Sequence, residues 1–472
     1  MSILLGRTKL LATVSVAAMV ALGGSNISAR AQALETALVQ AYQNNPTLNA
    51  QRAALRATDE NVPIALSGYR PKITGTITGG ATNQDQVSKQ VSSTGVGTYT
   101  TSNDNIAPHS VGVTATQTLY NGMQTANRTR QAEGQVSAGR ETLRLTEQTI
   151  LLNAATAYMN LLRDTAILDL QRRNVEVLQE QLRQTRDRFN VGEVTKTDVA
   201  QAESRVAAGR SSMLGAESNV VTSRATYRQQ VGVEPGKLSA GTPVDRLSPK
   251  SLGTAVAQGR VENPNVTAAA LGVDVASLQV KINEGALYPT VTVSAGMNYT
   301  AEQTPTIVKT MSYTALGTVT VPLYQGGSEF ATIRQSKETL GQRRMDLDAQ
   351  RDSAQQAVVQ SWGQLEAAKA QIIATQAQVT AAETALNGVR EEARVGQRTT
   401  LDVLNAQQEL VNARVALVTA QRDRVVASYS LLAATGRLSA TALGLKANNY
   451  DPMVHYQQVR DSWVGVRTPD GR

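Results

Sequence analysis

Residues 191–199 read VGEVTKTDV, and residues 395–403 repeat this pattern as VGQRTTLDV. The two segments lie 204 positions apart (396 minus 192), and the same shift pairs Leu119-Tyr120 with Leu323-Tyr324. Further upstream the shift becomes 218, which pairs Asn45-Pro46 with Asn263-Pro264, so the first copy carries 14 extra residues ahead of Leu119. A period of about 200 residues is far longer than the roughly 20 to 50 residues of a solenoid unit. The chain therefore contains two copies of one large module.

The first 31 residues have the composition of an export signal. Arg7 and Lys9 precede an uncharged apolar run from Leu10 to Leu22, and Ala29-Arg30-Ala31 matches the small-x-small pattern of a signal-peptidase site. A buried helix is the alternative interpretation of this run. No later segment approaches the roughly 20 apolar residues that a membrane-spanning helix needs. We therefore expect residues 1–31 to be a signal peptide and the exported chain to have no helical anchor.

Composition argues against several classes of function. The chain has no cysteine, which excludes disulfides and thiolate metal sites. Its two histidines, His109 and His455, have no partner at metal-ligand spacing and are expected to be solvated loop residues. The net charge of +8 arises from acids and bases that alternate along the chain, which indicates solvated helix surfaces and no nucleic-acid partner. Because the sequence shows no nucleophile with a base and no phosphate loop, it predicts a protein that is not an enzyme and binds no cofactor or metal.

A seven-residue apolar repeat follows Gly122 and, in the second copy, Gly326. It runs through Ala154, Leu161, Leu168, Val175, Leu182 and Phe189, and through Val358, Leu365, Ile372, Val379, Leu386 and Ala393. Such spacing keeps one seam facing a partner only when helices supercoil. Because the pattern stops at Gly192 and Gly396 and then resumes, it predicts antiparallel helical hairpins over about residues 123–231 and 326–435, with a first helix roughly 100 Å long. A dimerising coiled coil is the alternative.

Each copy also has segments with a period of two ahead of its helical hairpin. Apolar residues and threonines alternate in runs of about ten residues, the length of a tilted membrane strand. The runs are Ile73 to Ala81, Val111 to Leu119, Val291 to Tyr299 and Tyr313 to Leu323. They predict β-hairpins over about residues 71–119 and 289–323, with polar loops at 83–105 and 302–309 and nearby tyrosines suited to an interfacial girdle. The alternative is two hairpins packed on a soluble helical body.

These elements define the expected domains. Residues 32–246 form the first repeat, residues 247–445 the second, and residues 446–472 a polar periplasmic tail, which the sequence leaves open to be ordered or disordered. Four strands cannot close a membrane barrel, because the smallest has eight and an open edge leaves backbone groups unsatisfied in lipid. The chain is therefore expected to oligomerise. Two, three or four copies would give 8, 12 or 16 strands, and the strand pattern does not choose among them.

The order and duplication of these parts resemble the TolC-type outer-membrane efflux family: a signal peptide, then two copies of helix, β-hairpin and long helical hairpin with Val-Gly turns followed by Asp-Val. The resemblance covers the chain up to about Leu445. It implies a mainly α fold with a membrane β-barrel, in which a homotrimer builds one 12-stranded barrel in outer-membrane lipid. Long coiled-coil helical hairpins would form a periplasmic α-barrel below it.

The function implied by this resemblance is passive export. The chain would be the exit channel of a tripartite efflux or type I secretion system, and would conduct drugs, toxic compounds or proteins. Its implied partners are a periplasmic adaptor and an inner-membrane pump of the RND or ABC type. The alternative is a periplasmic coiled-coil adaptor or scaffold of such an assembly. An adaptor would show one hairpin between globular β domains, whereas here the hairpin and the strands are both duplicated.

The resemblance also implies roles for residues near the two Val-Gly turns. The adaptor-docking tip would consist of Val191, Gly192, Glu193 and Val194 in the first turn and of Val395, Gly396 and Gln397 in the second. A periplasmic gate would use a bond between Asp198 and Arg398 and a ring of acids at Asp402. The sequence departs from the family at Asn405, where a second acidic ring is expected, and at Ala393, which replaces a gate tyrosine. The alternatives are plain helix caps for the glycines and solvated surface for the charges.

Overall fold

The computed structural model describes residues 33–469 and 471, so the predicted signal peptide lies outside the described residues. Elements of the first half are α1 (Leu34–Asn44), α2 (Pro46–Asp59), α3 (Asn61–Leu66), β1 (Lys72–Gly79), β2 (Thr82–Val91), β3 (Gly97–Ile106), β4 (His109–Asn121), α4 (Gln124–Asn190) and α5 (Lys196–Val231). Those of the second half are α6 (Leu252–Glu262), α7 (Pro264–Gly285), β5 (Thr290–Thr304), β6 (Ile307–Thr320), α8 (Ser328–Arg394), α9 (Thr400–Ala434) and α10 (Pro452–Val459). The chain is thus mainly helical.

The long helices α4 and α8 each have 67 residues, which makes each about 100 Å long. The returning helices α5 and α9 have only 36 and 35 residues, so each hairpin is paired along about half of its long helix. The rest of α4 packs against α1, α2 and α7, and α7 also packs against α8. Seven-residue positions such as Leu161, Val175, Leu365 and Leu386 are buried in these contacts. None of the helices in the described range combines the length and apolar character needed to span a membrane.

The Asn-Pro pairs at the start of α2 and α7 explain part of the repeated sequence. Asn45 and Asn263 cap these helices, and each side-chain oxygen accepts a backbone N–H of the first turn at 2.9 Å. Their side-chain amides donate to carbonyl oxygens 204 positions apart, that of Gln230 at 3.1 Å and that of Ala434 at 3.0 Å. In each copy, the asparagine that caps α2 or α7 is therefore hydrogen-bonded to the end of the returning helix, α5 or α9.

Four strands form one antiparallel sheet in the order β1-β4-β5-β6. Its registers align the predicted alternation, so that apolar rows cross the sheet with rows of mainly Thr, Ser and Asn between them. The apolar rows include Ile73-Ala115-Ala295-Ala315, Gly75-Val113-Met297-Tyr313 and Ile77-Val111-Tyr299-Met311. One face is therefore apolar and the other polar, as the sequence predicted. Within the described part of the chain β1 and β6 each pair on one side only, so both edges of the sheet are open.

The prediction of a polar loop between the first two strands is wrong. Residues 83–105 form most of a second hairpin, in which β2 and β3 pair at ten positions. This hairpin continues β1 and β4, and at the junction the amide of Gly80 donates to the carbonyl of Pro108 at 3.0 Å. A polar pattern does not distinguish a loop from a hairpin that meets only solvent on both faces. The predicted loop at 302–309 is also shorter, a two-residue turn between β5 and β6.

The C-terminal residues show order in the tail, which the sequence left open, and correct the expectation for His455. The described part of the tail contains an ordered helix, because α10 packs against α2 and Nδ1 of His455 lies 2.9 Å from Oδ2 of Asp59. His455 is buried, as is Asp59, so His455 is not a solvated loop residue, whereas His109 is exposed. The sequence gives no local signal for this pair, since its members lie 396 positions apart. The main apolar core lies nearby, where α1, α2, the middle of α4 and the ends of α5 and α9 meet.

Candidate functional site at the hairpin tips

Both helical hairpins reverse at a left-handed glycine. Gly192 has a φ of 82° and Gly396 a φ of 79°, a conformation that residues with a β-carbon rarely adopt. The next amide in each turn, that of Glu193 or Gln397, donates to the carbonyl five residues back at 2.9 Å and closes the long helix. A β-carbon added at either glycine would meet no atom within 4 Å. Glycine is thus required by the backbone conformation, and the space beside it is open.

The threonine and aspartate that follow each glycine form capping boxes. Thr195 and Thr399 are the N-caps of α5 and α9, and the carboxylates of Asp198 and Asp402 accept from their backbone amides at 2.9 and 3.0 Å. The same carboxylates accept the threonine hydroxyls at 2.7 and 2.8 Å. The side-chain and backbone hydrogen bonds of Thr195 lower the pKa of Asp198, and the backbone and side-chain bonds of Thr399 lower the pKa of Asp402. Each aspartate therefore stabilises the first turn of a returning helix.

The ion pairs at the two turns have opposite polarity. At the first turn Arg188 of α4 binds Glu193 in the loop, with Nε 3.0 Å from Oε2. At the second turn the acid lies on the helix: Nε of Arg398 in the loop donates to Oε2 of Glu392 on α8 at 2.9 Å, and this bond raises the pKa of Arg398. All four side chains are about half exposed. The first turn therefore presents an acid to solvent and the second a base.

The residues of the predicted gate bond lie in one cleft between the two tips. The cleft has a volume of about 910 Å³, and both Asp198 and Arg398 line it. Within residues 33–469, Asp198 and Arg398 form no ion pair with each other. The carboxylate of Asp198 accepts the Thr195 hydroxyl, and the Arg398 guanidinium is paired with Glu392. The structure thus brings the predicted partners to the same cleft, and the bond between them stays a prediction.

Asn405 joins the two copies by a hydrogen bond. Its side-chain oxygen accepts from Nη2 of Arg205 on α5 at 2.7 Å. Asn405, which stands where a second acidic ring is expected, therefore links the two returning helices through a neutral amide. Ala393 packs beside the apolar residues inside the second hairpin. Sequence analysis missed Arg205, and the only signal for it is a departure from the repeat, since the second copy has Glu409 at the equivalent position.

Leu404 is a second contact that the sequence analysis missed. It lies on α9 but is 2% exposed, because it packs against Leu178 and Val206 of the first hairpin. The equivalent residue in the first copy is Ala200, which is exposed. The two hairpins therefore contact each other through an apolar side chain that only one copy supplies.

The remaining predicted tip residues lie at the surface. Val191 and Val395 are 72% and 71% exposed, and Val194 lines the cleft. Each turn thus carries exposed apolar groups beside an open glycine. Single exposed apolar residues are common, but their repetition at both turns indicates a surface suited to a partner.

The chain and its fold are similar to those of known proteins. The family model described as "Outer membrane efflux protein" matches residues 37–233 and 256–437. The outer membrane efflux protein BepC of Brucella suis is 43% identical over 465 residues, which cover 97% of each chain. The outer membrane protein TolC of Escherichia coli is 28% identical over 318 residues, or 64% of each chain. The Campylobacter jejuni CmeC outer membrane channel has a TM-score of 0.74 at 15% identity, covers 91% of this chain and 89% of its own, and therefore has the same fold.

Proposed function

Because the chain belongs to the outer membrane efflux protein family and lies in the outer membrane, we propose that it is the passive exit channel of a tripartite efflux or type I secretion system. One observation carries this proposal: an amphipathic four-stranded sheet with open edges is joined to helices about 100 Å long. A sheet with one apolar face suits a bilayer, and helices of this length reach far into the periplasm. Cargo would pass along the axis of an assembly built from several copies.

The open edges of the sheet support a closed oligomer. In lipid, the unpaired N–H and C=O groups of β1 and β6 would each cost several kcal/mol, so neighbouring copies must pair them. We propose three copies, whose four-stranded sheets give one barrel of twelve strands. An even strand number of this size lies within the range of known outer-membrane barrels.

Exposed apolar side chains on the helices support the same assembly. Those on α5 and α8 are Leu214, Val221, Phe330, Met345, Val359 and Ile373, with exposures from 44% to 74%. Met345, Val359 and Ile373 on α8 are spaced by 14 residues, twice the seven-residue period of a coiled-coil seam. We assign this stripe to the contact between protomers in a periplasmic α-barrel.

The tips would meet the rest of the export system. We assign residues 191–194 and 395–397 to docking of a periplasmic adaptor, which an inner-membrane pump of the RND or ABC type would accompany. The gate would lie in the cleft between the tips, where Arg398 can exchange Glu392 for Asp198 as its partner. Asp402 would then form an acidic ring and Asn405 a neutral one.

The identity of the cargo rests on similarity. We propose drugs and other toxic compounds, because the chain is 43% identical over nearly its whole length to a protein named for efflux. A deletion strain tested with each candidate pump present or absent should become more sensitive to such compounds. Loss of a secreted protein with unchanged drug sensitivity would assign protein cargo instead.

The assembly itself is tested by mass measurement in mild detergent and by planar-bilayer recording of the same sample. We expect a species of three protomers that conducts ions across the bilayer. A folded monomer with no larger species, or a trimer without conductance, would overturn the proposed channel.

A further inference from the structure

We propose that residues 462–469, here called the C-terminal strap, insert into the headgroup region of the phospholipid leaflet that faces the periplasm. The inserted groups would be the Trp463 indole with Val464 and Val466. This inference rests on the proposed function only in requiring that the four-stranded sheet lies in the membrane. It assigns a lipid-binding role to a part of the chain outside both repeats.

The strap is fixed to the foot of β1. Nη1 of Arg70 donates to the carbonyl of Ser462 at 2.6 Å, and the Arg70 guanidinium lies 4.5 Å from the centroid of the Trp463 ring. Arg70 stands two residues before Lys72, where β1 begins. The contact therefore holds Trp463 at the level where the sheet enters the bilayer.

The preceding helix secures this position. In α10, His455 lies 2.9 Å from the buried Asp59, and the Arg140 guanidinium lies 5.0 Å from the Tyr456 ring centroid. The strap thus leaves a helix that is packed on α2 and contacts α4. It is a tethered segment and not a free end.

Trp463 lies at the level of an aromatic belt. One tyrosine flanks the same end of each strand of the sheet: Tyr69 before β1, Tyr120 at the end of β4, Tyr288 before β5 and Tyr324 after β6. All four are between 40% and 78% exposed. Tyrosine and tryptophan concentrate at the boundary between hydrocarbon and water, because their rings are apolar and their N–H or O–H groups need a polar partner. Trp463 adds a fifth ring to this belt.

The exposure and charge of the strap fit a phospholipid surface. Trp463, Val464 and Val466 are 68%, 90% and 101% exposed, so the chain alone covers little of three adjacent apolar groups. Arg70 and Arg467 supply positive charge beside them. Basic side chains next to apolar ones bind the phosphate layer while the apolar groups enter the acyl boundary.

The two tryptophans of the chain allow a direct test. Trp362→Phe leaves Trp463 as the only indole, and Trp463→Phe leaves Trp362, which packs in the helical body beside Val358 and Leu365. Both variants are reconstituted in phosphatidylcholine and phosphatidylglycerol vesicles with or without bromine on the acyl chain near the headgroup. We expect brominated lipid to lower Trp463 emission by about twofold or more and to leave Trp362 emission unchanged.

Three results separate this inference from its alternatives. Equal, weak quenching of both tryptophans by brominated lipid would overturn it. Protection of Trp463 from aqueous iodide in vesicles without quenching by brominated lipid would assign the strap to a neighbouring protomer, and strong iodide quenching in vesicles would assign it to water or the lumen, so both would overturn it. If Trp362→Phe does not assemble, the quenching of Trp463 is obtained from the difference in emission between the unmodified protein and Trp463→Phe. Because mass and conductance are measured on the same samples, failure of the channel is recognised separately.

Discussion

The two hairpin tips have the same backbone and opposite charges. The φ angles of Gly192 and Gly396 are 82° and 79°, and each returning helix begins with a Thr-Asp capping box. The ion pairs around this common frame are reversed, since Glu193 is the acid of the first loop and Arg398 the base of the second. The groups that reverse the chain are therefore repeated, whereas the groups that face solvent have diverged. In the proposed trimer, acidic and basic loops would alternate around the periplasmic opening.

This difference suggests a division of roles. The repeated glycine and capping box serve the fold of each hairpin, and we propose that the diverged charges serve closure of the channel. The apolar contact between the hairpins is also one-sided, because Leu404 is buried against the first hairpin while Ala200 is exposed.

The double variant Gly192→Trp with Gly396→Trp should have the largest effect, because it changes the left-handed glycine that both tips share. Tryptophan fills the open space beside each glycine and adds roughly 1–2 kcal/mol of left-handed strain per site. We expect drug susceptibility equal to that of a deletion strain, with the trimer still assembled. Gly95→Trp is the matched control, since Gly95 has a φ of 81° and open surroundings but lies in the β2–β3 turn. Normal drug export by the double variant would show that the tips do not dock the adaptor.

Leu404→Ala tests the one-sided contact between hairpins. Removing this buried side chain should cost about 2–5 kcal/mol locally. Hydrogen exchange should therefore accelerate around Leu178 and Val206, although the substitution is in the other copy. Leu410→Ala is the control, because Leu410 is 5% exposed but packs inside the second hairpin. The same exchange in the first hairpin for both variants would mean that Leu404 does not hold the hairpins together.

Asp402→Asn separates the charge of the second tip from its geometry. The amide oxygen can still accept the Thr399 amide and hydroxyl, so the cap persists while the proposed acidic ring loses its charge. We expect weaker cation preference in planar-bilayer recordings with a salt gradient. Asp187→Asn removes a charge from an exposed helix surface and should leave selectivity unchanged. Unchanged selectivity in the Asp402 variant would limit this residue to capping.

Acid should destabilise the first turn of both returning helices, with a smaller effect than the substitutions above. The pKa values of Asp198 and Asp402 in the folded chain lie below 3.8, so their ionised forms contribute stability above that pH, and the contribution is lost as the pH falls through the lowered values. Hydrogen exchange, corrected for intrinsic rates, should accelerate in residues 195–199 and 399–403 at such pH. A variant with both aspartates changed to asparagine should lose this dependence. An identical acid response in the two proteins would assign it to other groups.

The sequence predicted those parts of the fold in which burial repeats along one element. The seven-residue spacing around Leu161 and the alternation around Ile73 predicted the long helices and the amphipathic strands, because residues seven positions apart on such a helix, or two apart on a strand, share one environment. The β2–β3 hairpin has no buried face, so its pattern resembles a loop. The Asp59–His455 and Arg205–Asn405 contacts join residues 396 and 200 positions apart, which no local spacing encodes.

The sequence indicated which residues lie at the two turns, whereas their docking and gating roles stay predictions. The family resemblance led to Asp198 and Asp402, and the structure places both in capping boxes. The Thr-x-x-Asp spacing of a capping box was visible in both copies, and it would have predicted this role directly. The partners of Arg398 and Arg188 depend on which way each loop turns, and the sequence does not fix that direction.

The division between shared geometry and diverged charge is tested most directly by single-channel conductance of Arg398→Ala and Glu392→Ala. In the structure Arg398 is bound to Glu392 and shares a cleft with Asp198. If Arg398 closes the channel by binding Asp198, its loss should raise conductance, whereas loss of Glu392 should free Arg398 for Asp198 and lower conductance. Arg351→Ala, in an exposed ion pair with Asp348 on α8, should change neither. Conductance that is unchanged in both tip variants, or shifted in the same direction in both, would contradict a gate made from the diverged charges.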